Sequence, residues 1–226
     1  MMFIRMKIRQ FYWKIYRILL RKSDPFPHLQ YARKHKFIFI HIPKTAGTSI
    51  LNALEIKFRH HSNWSVYEAA DPKLFRHCYK FCFVRNPYDR IVSVYTYLKG
   101  GGAGYVDKEF HKLIVEQYDT FEKFVLEYLN KDVIHEHHLL IPQYLYIYGF
   151  NNTCKVDYIG RFENLNNDFS KIAERLSLDI ELPKMNASKR KIYQEYYTQQ
   201  IQEKIHYLYN KDFLILNYNE KITIDN

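Results

Sequence analysis

"KFIFIHIPKTAGTSILNAL", residues Lys36 to Leu54, decides the fold. Phe37, Ile38, Phe39 and Ile40 form a short continuous apolar run, as expected of a parallel strand covered on both faces. Pro43 ends the run. Gly47 allows an unusual backbone angle or the close approach of a ligand, and Thr48 and Ser49 are residue types that cap a helix starting there. A helix start presents N–H groups and the positive end of the helix dipole, which attract an anion. Lys44 sets a mobile positive charge beside them. The same residues would also serve an ordinary strand-to-helix turn with a solvated lysine. A triphosphatase loop would end in G-K-[ST], whereas here the lysine precedes the glycine by three positions. Magnesium-dependent phosphoryl transfer is therefore poorly supported.

A second stretch, "YKFCFVRNPYDRIVSVYTYL" (Tyr79–Leu98), repeats the plan. An apolar run Phe81–Val84 is followed by Arg85-Asn86-Pro87 and then by a helical pattern at Ile91, Val92, Val94 and Tyr95. Arg85 falls where the strand ends, the edge at which parallel sheets bind ligands. Ser93 lies eight residues later, about two helical turns in. Arginine can grip a phosphate with two nitrogens, and a serine hydroxyl can add a donor.

Tyr158–Gly160 reads as a third parallel strand. Helical periodicity runs through Phe110, Leu113, Ile114, Phe121, Phe124, Val125 and Tyr128, and again over Tyr193–Tyr209, while "DFLILNY" (Asp212–Tyr218) closes the domain. "LKGGGAGY" (Leu98–Tyr105) reads as a flexible loop. Strands alternating with helices predict a three-layer α/β architecture, a central parallel sheet flanked by helices.

The chain has 226 residues, 47% of them apolar and 17% aromatic, which suits one compact domain and argues against disorder. The net charge of +10 is uneven: residues 1–36 carry +9, and the rest is close to neutral. A uniformly basic nucleic-acid binder would look different, so no nucleic-acid partner is expected. Residues 1–30 are read as a basic amphipathic arm and 31–226 as a single domain. In the arm, Ile4, Ile8, Phe11, Ile15 and Ile18 share one helical face and Lys7, Lys14 and Arg21 another. Residues 1–22 thus suit an anionic membrane surface, or a helix packed on its own domain or on a second subunit. The charges exclude a spanning helix. "SDPFPH" then breaks the helix and leads into the first strand. Three cysteines cannot close a disulfide framework, Cys82 reads as a buried thiol, and a reducing, cytoplasmic setting fits, with the arm able to hold the chain at the inner membrane face.

Taken together, "IPKTAGTSI" resembles the 5′-phosphosulfate loop of carbohydrate sulfotransferases that use 3′-phosphoadenosine 5′-phosphosulfate (PAPS), and "FVRNPYDRIVSVY" resembles their 3′-phosphate motif. "YIGRFENLNNDF" (Tyr158–Phe169) and the segment from Asn186 to Tyr218 are similar to later parts of the same family, in its 2-O- and chondroitin-type branch. The resemblance runs from about Phe37 to Tyr218 and implies the P-loop NTPase-like sulfotransferase fold. It also implies that Lys44, Thr45, Ala46, Gly47, Thr48 and Ser49 surround the 5′-phosphosulfate, that Arg85 and Ser93 hold the 3′-phosphate, and that Ser188 and Arg190 close over the cofactor. The acceptor it implies is a sugar or glycan hydroxyl, and the product is 3′-phosphoadenosine 5′-phosphate (PAP).

Sulfuryl transfer needs a base at the acceptor oxygen, in-line geometry and positive charge on the departing phosphate. Lys44 supplies the last of these, and the scheme requires no metal. The related 2-O-enzymes have a histidine pair before the 3′-phosphate arginine, which implies His61 as base with His60 beside it. Histidine suits the task because its ordinary pKa lies near neutrality. The other candidates are in "HEHHLLIPQ": His137, His138 and Gln143 are expected to contact the acceptor, and one of the 135–138 histidines is an alternative base. His135, His137 and His138 have the look of metal ligands, but no cysteine or partner cluster completes a site. Two other readings stay open from the sequence: a small-molecule kinase of related fold, and a non-catalytic basic membrane- or nucleic-acid-binding module.

Overall fold

The computed structural model describes residues 27–57, 60–183 and 191–222. The basic arm up to residue 26, together with Ser188 and Arg190, lies outside the described residues. Helix α1 (Pro27–His35) leads into strand β1 (Phe37–Ile40), followed by α2 (Gly47–Ala53), α3 (Trp64–Ala70), α4 (Pro72–His77) and β2 (Tyr79–Val84). Next come α5 (Pro87–Lys99), α6 (Gly104–Gln117), α7 (Phe121–Lys123) with a π-turn at Phe124–Tyr128, and α8 (Tyr144–Ile147). Strand β3 (Tyr158–Arg161), α9 (Leu165–Arg175) and α10 (Gln199–Leu216) complete the order. Among the described residues the helices include none that is long and apolar enough to cross a membrane.

The fold is α/β, a parallel sheet of three strands in the order β1-β2-β3 flanked by helices. Phe37 pairs with Tyr79, and Phe81 with Tyr158. All four β1 residues are buried, as their unbroken apolar run requires. Gly160 in β3 is glycine because the Phe83 ring occupies its side-chain position: a Cβ there would lie 2.5 Å from Phe83 Cε1. Asp168 on α9 fastens the end of β3, accepting from the Arg161 N–H at 2.8 Å and from the Tyr158 hydroxyl at 3.1 Å.

Described residues 27–84 and 145–183 form one compact unit, and 85–144 with 191–222 form a second. In the first, Phe37, Phe39, Ile50, Leu51, Phe81, Phe83, Phe169 and Ile172 make a core around the sheet. In the second, α5 and α10 share a core built on Tyr88, Ile91, Val94, Phe124, Ile205 and Phe213.

Three local expectations are corrected. The stretch that ends in Pro27-His28 does not lead straight into β1, because α1 intervenes with Pro27 as its first residue; a residue without an N–H is tolerated in the first helical turn. The periodic stretch 110–128 is not one helix. It stops at Gln117 and restarts at Phe121, where Thr120 caps the new start by accepting from the Lys123 N–H at 3.1 Å. The helix expected over Tyr193–Tyr209 begins only at Gln199, after a 3-10 turn at Tyr193–Tyr196, and as α10 it runs on through a kink at Tyr209 to Leu216.

Candidate active site

The loop after β1 owes its shape to two residues in the left-handed region, Lys44 at φ 66° and Ala46 at φ 67°. Each costs an L-residue about 1–2 kcal/mol, so surrounding contacts must hold the turn. Thr45 is fully buried, and its Oγ1 donates to the Ile42 carbonyl at 2.9 Å. The chain then enters α2 directly from Ala46, whose carbonyl accepts from the Ser49 and Ile50 N–H groups. Thr48 and Ser49 were expected to cap this helix; they are instead its second and third residues, and no side chain caps it. The capping position falls on Ala46, whose methyl group has no acceptor to offer and whose backbone is left-handed rather than extended.

Gly47 is required for close approach, by the protein's own side chain. A Cβ on Gly47 would lie 1.9 Å from His41 Nε2. His41 is buried, stacks on Phe39 at 5.7 Å and meets the ring of His61 at 4.2 Å. His61 Nδ1 in turn lies 3.1 Å from the His41 carbonyl oxygen. A carbonyl can only accept, so Nδ1 carries a proton, and in the neutral ring the lone pair is on Nε2. A histidine twenty positions away is thus seated on the first residue of the loop, in the tautomer a base at Nε2 needs. His60 is exposed and lines a recess with Tyr31, Phe39, His41 and Tyr67. The sequence reading missed His41; the only signal was its place between an apolar strand and a proline.

In the second unit Arg85 directly follows β2 and is 6% exposed. Its Nε donates to Asp89 Oδ2 at 2.7 Å, one helical turn on. Gln143, fully buried, clasps the Arg85 backbone: its Oε1 accepts from the Arg85 N–H at 2.9 Å and its Nε2 donates to the Arg85 carbonyl at 2.8 Å. The Gln143 amide expected to face an acceptor therefore serves Arg85. Asp212 supports this clasp from α10, accepting from the N–H groups of Gln143 at 2.8 Å and Tyr144 at 2.9 Å. Burial raises the Asp212 carboxyl above the usual range, while Arg90 and these N–H donors pull the other way. Arg90, 1% exposed, donates to the carbonyls of Leu139 and Ile141, both at 2.9 Å, which fixes the segment carrying the histidines. Ser93 is half-buried on α5.

His137 and His138 are brought together with Asp107, from the first turn of α6, at 3.6 and 3.5 Å. Burial lowers the His137 pKa to about 4, helped by His138 and opposed by Asp107, so its ring is neutral at pH 7. Burial also lowers His138, with Asp107 opposing and Arg90 adding to the shift. The sequence offered no partner for these histidines, because Asp107 lies roughly thirty residues upstream. The glycine loop is a tight link between α5 and α6: Tyr97 Oη accepts from the Ala103 N–H and donates to Asp107 Oδ2 at 2.7 Å.

Comparison with known proteins adds an independent line. The profile described as "Sulfotransferase family" matches residues 27–219. An uncharacterized protein of Archaeoglobus fulgidus is 32% identical over 119 residues, which is 53% of this chain and 84% of that protein. Carbohydrate sulfotransferase 14 of Danio rerio is 24% identical over 70% of this chain, and its Mus musculus counterpart 24% identical over 65%. The matched regions make up 50% and 46% of those two proteins, so the chain corresponds to about half of each. No solved structure matches.

Proposed function

Because the chain belongs to the sulfotransferase family, we propose that it moves a sulfuryl group from PAPS to a hydroxyl of a carbohydrate. The seat of His61 on the His41 carbonyl carries this reading, because it brings a base of the right tautomer to the start of the Lys44 loop. When bound, the donor supplies the sulfuryl group and a phosphate leaving group. The residues present fit it: a lysine and a polar turn after β1, and a buried arginine after β2. Lys44 and the N–H groups of Thr45 to Thr48 hold the phosphosulfate end, with Ser49 in the turn behind them, and meet charge as it develops. Arg85 and Ser93 hold the 3′-phosphate, with Asp89 on Nε fixing the guanidinium plane. His61 takes the acceptor proton at Nε2, and the resulting imidazolium is stabilised through Nδ1–H by the His41 carbonyl. The sugar acceptor rests on the names of the Danio and Mus relatives.

Transfer of labelled sulfate from PAPS to a glycan panel tests the activity. By calorimetry, PAP should bind much more tightly than adenosine 5′-phosphate, and Arg85→Ala should narrow the gap. His61→Ala should lower turnover by about 10²–10⁴ while leaving PAP affinity unchanged. Turnover lost in His137→Ala but retained in His61→Ala would overturn the base assignment. Magnesium-dependent ATP hydrolysis without any preference for PAP would overturn the whole reading.

A further inference from the structure

The second unit holds a cluster whose two histidines the sequence offers as acceptor contacts or an alternative base, and to which the proposed transfer with His61 as base assigns no step. Asp107 is 8% exposed, and His137 Nε2 and His138 Nε2 approach its Oδ1 at 3.6 and 3.5 Å. One ligand-type atom from each of the three residues lies within 4.8 Å of the other two. Among the described residues, neither Asp107 Oδ1 nor His137 Nε2 has a hydrogen-bond partner. Buried polar atoms are nearly always bonded, so two such atoms 3.6 Å apart leave room for an occupant that bonds both. Neighbouring ligand atoms of a tetrahedral zinc site, with bonds of about 2.0–2.1 Å, stand about 3.3–3.4 Å apart. The two measured separations are within a few tenths of an ångström of that spacing.

We propose that Asp107 Oδ1, His137 Nε2 and His138 Nε2 bind a divalent transition-metal ion of the zinc class, with a fourth position for water or a ligand oxygen. Two imidazoles and one carboxylate suit such an ion, and they do not suit magnesium or calcium, which take oxygen ligands. Three protein ligands with an open position are the pattern of reactive rather than closed structural zinc sites. The surroundings support the ligands. The Tyr97 hydroxyl donates to Asp107 Oδ2 at 2.7 Å, which turns Oδ1 toward the histidines, and Phe110 packs on His137 at 4.3 Å. Such outer partners orient ligands and tune affinity. His135 is not part of the cluster.

Two features oppose the ion and shape its test. Arg90 lies near enough to His138 to disfavour added positive charge, which the Asp107 carboxylate offsets. His137 Nδ1 accepts from the Leu139 N–H at 3.2 Å, so without metal the ring proton is on Nε2. An ion at Nε2 sends that proton to Nδ1 and breaks the Leu139 bond. The metal therefore has a signature on one named ring.

The experiment titrates the metal-stripped full chain with Zn²⁺, Co²⁺ and Mg²⁺. One equivalent of Zn²⁺ should bind, Co²⁺ should give the intense visible bands of four-coordinate geometry, and Mg²⁺ should not compete. Asp107→Asn and His138→Gln should each weaken Zn²⁺ by about 100-fold or more, and Tyr97→Phe by about tenfold. His77→Gln, a surface histidine variant, should bind as the parent does. Long-range ¹H–¹⁵N spectra should show His137 changing from Nε2–H to Nδ1–H as Zn²⁺ is added. That measurement uses the unaltered chain and stands even if a variant does not fold. Absence of stoichiometric Zn²⁺ binding, unchanged affinity in Asp107→Asn, equal binding of Mg²⁺ or an unmoved His137 proton would each overturn the proposal. None of these readouts depends on sulfuryl transfer, so that reading can fail without this one.

Discussion

The loop after β1 and the segment after β2 both leave the carboxyl end of a parallel strand, yet they are fixed by different means. The first is shaped mainly by its own backbone. Lys44 and Ala46 are left-handed, Thr45 ties back to Ile42, and Gly47 makes room for His41. The second is shaped by buried side chains from distant parts of the chain. Gln143 clasps Arg85, Asp212 holds Gln143, and Asp89 pairs with the guanidinium. The difference teaches where each region is vulnerable: the first through conformation and close packing, the second through an orphaned polar group.

The largest effect is expected where that contrast is sharpest. Asp212→Ala leaves the buried N–H groups of Gln143 and Tyr144 without their acceptor. A loss of about 3 kcal/mol should appear in denaturant unfolding. A loss below about 1 kcal/mol would mean that the clasp on Arg85 stands without α10. Gly47→Ala comes next, because its methyl group would overlap the His41 ring and so disturb the seat of His61. Overpacking of this kind costs about 1–3 kcal/mol, and turnover should fall further than stability does. Equal turnover in the variant would break the link between His41 and the base. Ala46→Gly should give the smallest change and the opposite sign. Relief of the left-handed penalty outweighs the added freedom of the unfolded chain, for a net gain of about 0.5 kcal/mol. A loss instead would show that the loop is not shaped by its own backbone.

The same contrast governs how far the sequence could be read. Two of the three strands, β1 and β2, announce themselves as apolar runs, and the Lys44 loop and Arg85 are local features of those runs. Two boundaries failed for local reasons that compete with periodicity: the Thr120 cap restarts a helix within an apolar stretch, and the left-handed Ala46 removes the cap expected of Thr48 and Ser49. The partners of Gln143, His61 and His137 were illegible. Asp212, His41 and Asp107 meet them only through the fold, and an isolated Asp or His in a helix or loop carries no periodic signal. Gln143 shows the converse: a polar residue read as an acceptor contact is spent on the backbone of another.

The order β1-β2-β3 has a consequence for how the chain can assemble. β1 and β2 are joined by a connection of moderate length, but β2 meets β3 only after residues 85–144, which belong to the other unit, have been made. That second connection is roughly twice as long, and doubling a loop adds only about 0.6 kcal/mol of closure entropy. The insertion therefore weighs little on the final balance and heavily on the route. During synthesis the inner edge of β2 must wait for Tyr158 to emerge, and until then the sheet has a hydrophobic strand with one side unpaired, the kind of edge on which partly folded chains aggregate.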